Sequence, residues 1–129
     1  MRRRKTDAIA LITVLLLLAA MLVMAASMHL AVLFNASLAR NRLHHALASA
    51  AASSLLNHSL LLLEQAQAGT GTLPEFPPEL PGLHGYEWLG DDTVHIVVLG
   101  SSEPGGMQVS SEATVRAGSD GRLEVLQIR

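Results

Sequence analysis

Six histidines, eleven carboxylates and no cysteine are the main side chains with which this 129-residue chain could do chemistry. The missing thiol excludes cysteine catalysis, a disulfide scaffold, a lipoprotein anchor and Cys-ligated zinc. It leaves an extracytoplasmic location open, provided the domain there is stable without staples. His44 and His45 are adjacent, so they do not share a helix face, and His58 does not stand at the i, i+4 ligand spacing from either. No carboxylate near them completes a metal set. Asp91, Asp92 and Glu103 invite a calcium reading, but calcium needs at least about six converging oxygens. Two adjacent acids in a tight turn read instead as a solvated turn. His29 is the one ionisable side chain deep inside an apolar run. Such residues are functional candidates by default, yet near the outer end of the run a neutral imidazole costs little. His95, between Val94 and Ile96, reads as a structural strand residue. Tyr86 and Trp88 share a strand face and read as a hydrophobic cover rather than a ligand platform. Serines abound without a nucleophile-elbow pattern, and Gly100 to Gly106 (GSSEPGG) lacks the lysine of a phosphate-cradling loop. The expectation is a chain with no catalytic residues, no metal and no cofactor, and therefore not an enzyme.

What the elements must hold is set by composition. Half of the residues are hydrophobic, 16% are charged, only 3% are aromatic, and mean hydropathy is +0.35. Leu, Ala and Val thus supply the apolar content, as in a membrane helix. Charge is segregated. Arg2, Arg3, Arg4 and Lys5 form a basic tip, Asp7 follows, and no further charge occurs before Arg40. From Leu43 onward three arginines face ten carboxylates, a formal −7. An acidic body of this kind argues against nucleic acid as a direct partner.

Residues 8–39 are 32 positions without a formal charge, Gly or Pro. A bilayer core takes about 20 apolar residues in a helix, and a backbone in lipid must bond to itself. We expect a transmembrane helix over 9–35, with the basic tip placing the N-terminus in the cytoplasm and the remainder outside. A signal peptide cleaved near Ala25–Ser27 is the competing reading. The run exceeds the usual apolar length of about 7–15 residues, and helical character continues past that point.

Residues 36–68 also lack Gly and Pro and read as a continuation of the helix, with an apolar stripe of Leu38, Leu43, Leu47, Ala50, Ala51, Leu55, Leu60 and Leu63. Gly69 and Gly71 offer stops. Four prolines and four glycines mark 69–85 as a linker or irregular loop. From 86 to 129 the period becomes two. Strands are expected at Tyr86–Leu89, Thr93–Leu99, Met107–Ala117 and Arg122–Ile128, with turns at Asp91-Asp92 and Gly118–Gly121 and a loop over Gly100–Gly106. Short turns favour an antiparallel meander. Forty-odd residues cannot build a core alone, so the sheet should pack on the second part of the helix. The fold class expected is α+β.

This plan, together with the first residues, resembles the type IV pilin-like proteins, the pilins and pseudopilins. Their precursors carry a short basic leader ending in Gly, followed by a segment of the type Phe-Thr-Leu-Ile-Glu-Leu-Leu that opens a long helix. Here Ala8 stands at the Gly position, and Leu11, Ile12 and Leu15 match directly, with Ile9 and Val14 similar in kind. The resemblance covers the chain as architecture and about fifteen residues as motif. It implies a leader at 1–8, a processing junction at Ala8-Ile9 cut by a prepilin peptidase, and an N-terminal assembly segment containing Leu11, Ile12 and Thr13. Thr13 replaces the family's usual Glu, and Ala8 replaces its Gly. Lack of that Glu is a trait of minor or tip subunits. The implied partners are the peptidase, other pilin or pseudopilin subunits through the helix, an inner-membrane assembly platform and lipid. The alternative expectation is an uncleaved single-pass protein with a small periplasmic partner-binding domain.

Overall fold

A computed structural model describes residues 2–103 and 106–129, with side chains from Asp7 onward. Met1 and the side chains of the basic cluster, part of the expected leader, lie outside the described residues. The uninterrupted Leu/Ala/Met composition gives one helix, α1, over Arg2–Thr70. It stops where Gly71 adopts φ +79° and its N–H reaches the Gln67 carbonyl at 2.6 Å. A left-handed residue just past the last turn is a common way to satisfy an orphan carbonyl, and only glycine takes it without strain. By internal contacts the chain divides into residues 1–41 and 42–129.

In the second unit four strands form a single antiparallel sheet in chain order: β1 Leu83–Gly90, β2 Thr93–Ser102, β3 Met107–Ala117 and β4 Leu123–Ile128. The long N-terminal helix packs on this sheet through its second part, so the fold is α+β as expected. The hairpin between β1 and β2 turns on Asp91 and Asp92, both at positive φ (50° and 52°). Two positive-φ central residues match the twist of a two-residue hairpin. The β3–β4 turn is closed by the Gly118 N–H on the Arg122 carbonyl at 2.8 Å.

Alternation places Val94, Ile96 and Val98 of β2 and Ala113 and Val115 of β3 on one face, where they meet Leu56 and Leu63 of α1. The segment before β1 is irregular but not a free linker. Leu73 and Leu80 are buried in this core, and the Tyr86 hydroxyl donates to the Pro74 carbonyl.

Three details differ from the sequence reading. β1 begins at Leu83, inside the segment assigned to the loop, because Leu99 N–H bonds to the Gly82 carbonyl at 2.9 Å and extends the ladder. β2 continues to Ser102, into the start of the expected Gly100–Gly106 loop. The buried helical stripe is Ala48, Ala52, Leu56, Ser59, Leu63 and Gln67, not the leucine stripe; of the latter only Leu63 is fully buried, and Leu43 remains 58% exposed.

The physical reason lies at Gly100. A Cβ built there would stand 2.2 Å from the Ala52 nitrogen and 2.4 Å from the Ala48 carbonyl oxygen. Strand backbone therefore lies directly on helix backbone. Only the smallest side chains fit on both sides of that approach, and the larger Leu56 and Leu63 fill the interface beyond it.

Candidate functional site

The residues singled out by the N-terminal motif all sit in α1. Ala8 and Ile9 are consecutive helical residues, and Ile9, Leu11 and Ile12 turn more than half of their surface outward. Every large apolar side chain from Ile9 to Phe34 is exposed within this chain, on all sides of the helix. A helix apolar all round is buried by something other than its own fold. Its length and hydropathy are sufficient to cross a membrane.

The polar side chains in this stretch are arranged accordingly. The Thr13 hydroxyl donates to the Ile9 carbonyl one turn back at 2.8 Å. Ser27 donates likewise to the Val23 carbonyl. Both hydroxyls are satisfied within their own helix, the condition for tolerance in hydrocarbon. Thr13 is thus an uncharged side chain whose one hydroxyl donor is already used on its own helix.

The histidines are scattered. His44 is half-buried with Nδ1 unpartnered, whereas His45 and His58 are exposed. Among the described residues no three His, Asp or Glu side chains converge as a metal set would require. Asp91 and Asp92 occupy the hairpin turn. Tyr86 and Trp88 pack against the core edge, and burial pushes the Tyr86 phenol up to about 12.

Sequence reasoning missed two groupings. The first is the contact of Gly100 with Ala48 and Ala52. Its only signal was an alanine-rich helix segment, with nothing to say which strand approaches it. The second lies on the sheet face away from the helix, where register brings together His95, Glu112, Thr114, Gln127 and Arg129 around an open cavity of about 260 Å³. His95 Nε2 stands 3.5 Å from Glu112 Oε2. Alternation assigns these residues to the polar face, but only the pairing of His95 with Thr114 sets them side by side. The group is open to solvent and balanced in charge, and it offers no nucleophile with a base. No family model, curated protein or solved structure matches the chain.

Proposed function

We propose that this chain is a minor pilin-like or pseudopilin subunit: a single-pass membrane protein whose leader is removed at Ala8-Ile9 and whose helix is then drawn into a pilus or pseudopilus. The observation that carries the reading is the change of surface along one continuous helix. From Ile9 to Phe34 it is apolar on every side, and from Ala48 to Gln67 it presents one stripe to an antiparallel meander. In this reading the basic tip holds the N-terminus in the cytoplasm and the acidic sheet unit lies in the periplasm. The mechanism is assembly rather than chemistry. The Ile9–Phe34 surface exchanges lipid contacts for contacts with neighbouring helices, a near-neutral step because both environments are apolar. The partners are a prepilin peptidase, sister subunits, an inner-membrane assembly platform and lipid.

The intact mass and N-terminal sequence of the protein from membranes of its own host test this reading. A mature start at Ile9 supports it, and Ala8→Leu should then block maturation and leave the full-length chain in the membrane. A mature start at Met1 overturns it in favour of a second reading, an uncleaved anchor with a periplasmic partner-binding domain.

A further inference from the structure

Two charges bracket the apolar stretch of α1: Asp7 at its start and Arg40 at its end, with none between them. From Asp7 to Arg40 the helix rises about 50 Å, at about 1.5 Å per residue. A bilayer with both headgroup layers is about 40–45 Å thick. An ordinary tilt of about 20° shortens the rise to about 47 Å. With Asp7 among the headgroups of one leaflet, Arg40 therefore stands at the headgroups of the other. Helical side chains lean toward the N-terminus, so the Arg40 guanidinium is carried back toward the bilayer rather than away from it.

Arg40 has no counter-charge at that level. It is exposed, α1 carries no carboxylate between Asp7 and Glu64, and among the described residues no acidic side chain pairs with it. A parallel copy of the same helix at the same depth brings no carboxylate either, so a sister span does not neutralise it. The neighbours of Arg40 add donors instead. Ser37 stands one turn before both Arg40 (i, i+3) and Asn41 (i, i+4), so its hydroxyl adjoins both side chains. Thr13 and Ser27, inside the apolar run, spend their hydroxyls on their own helix, whereas Ser37 makes no such bond among the described residues. Ala36, the other residue over which Arg40 leans, has no bulk to fill the space.

We infer that Ser37, Arg40 and Asn41 hold the phosphate of a lipid in the leaflet away from the N-terminus, and so fix the depth of the span. The inference rests on the membrane-span reading, because the span is what brings this face to the headgroups. A guanidinium with a hydroxyl and an amide beside it, and no acid near, suits the oxygens of a phosphodiester.

The face carries one uncompensated positive charge, so an anionic headgroup such as phosphatidylglycerol is preferred to a zwitterionic one. One cation near an anionic surface corresponds to about a fivefold gain in association. Free phosphate offers the same oxygens, but only a lipid is held at the depth that the length of the apolar stretch dictates.

The chain lacks cysteine, so a bimane on Leu33→Cys is a unique reporter. Leu33 is 55% exposed, lies two turns before Arg40 on the same face, and stands across the bilayer from the basic tip. The full chain is reconstituted in phosphatidylcholine vesicles at low salt. Its quenching is measured with phosphatidylglycerol or phosphatidylcholine carrying a nitroxide high on the acyl chain. The expected result is association of phosphatidylglycerol about fivefold stronger than that of phosphatidylcholine, falling to near parity in Arg40→Gln and weakening as salt is added. Equal quenching by the two lipids, or a preference that survives Arg40→Gln, overturns the inference. A preference abolished by inorganic phosphate at constant ionic strength overturns it in favour of a free-phosphate site. Alkaline extraction of the same vesicles checks the span separately: release of the chain breaks the anchoring reading, whereas retention with no lipid preference breaks only the headgroup site.

Discussion

The two stretches of α1 follow opposite packing rules. Between Ile9 and Phe34 the large side chains all face outward, and Thr13 and Ser27 close their hydrogen bonds on the helix backbone. Between Leu43 and Gln67 the tightest contact is made by alanine against glycine, while Leu43, Leu47 and Leu61 stay at the surface. Apolar bulk therefore marks the first stretch for its surroundings. In the second, the absence of bulk marks where the sheet arrives. Hydropathy is a good guide to the first situation and a poor one to the second.

The largest effect that would break this contrast lies at the close approach. Gly100→Ala should destabilise the sheet unit by about 3 kcal/mol or more, because neither Ala48 nor Ala52 backbone can yield to a Cβ at 2.2–2.4 Å. Leu22→Ala, in the first stretch, should leave the same urea transition of the detergent-solubilised chain unmoved. Next comes the pair Leu63 and Leu61, near neighbours on the helix but 0% and 55% exposed. Leu63→Ala should cost about 2–5 kcal/mol and Leu61→Ala no more than about 0.5 kcal/mol. Equal losses would mean that the buried stripe is misplaced.

A smaller effect is set by pH. Tyr86 holds its proton up to about 12 in the fold but releases it near 10 when unfolded. Between those values the unfolded chain binds fewer protons than the folded one, so stability should fall as pH rises from 10 to 12. Tyr86→Phe should flatten that slope in denaturation midpoints recorded across the interval. The smallest effect is in the first hairpin. Replacing Asp91-Asp92 by Asn-Gly relieves two positive-φ carboxylates and should raise stability by about 1 kcal/mol, with no change in membrane retention.

The strands were legible because their signals are local. Alternation from Met107 to Ala117 gave β3 its limits, and Gly118–Gly121 gave the following turn. The helix face was not legible, because the residue that decides it, Gly100, lies far along the chain from Ala48 and Ala52. A stripe drawn through the leucines counted hydrophobicity where the fold depends on distance of approach. The same reasoning explains why the N-terminal residues could be placed in a helix but the His95–Glu112 grouping could not. A face follows from period, whereas a neighbour follows from register, and register is fixed across three strands.

The most direct test of the contrast within α1 is labelling of single cysteines at Leu22, Leu47 and Ser59 by a membrane-impermeant maleimide in intact membranes, before and after urea; Ser59 is completely buried, and cysteine is close to it in size. The expected pattern is no reaction at 22 in either condition, reaction at 47 in both, and reaction at 59 only after urea. Labelling at 22 without urea, or equal labelling at 47 and 59, would contradict a helix divided between lipid and sheet.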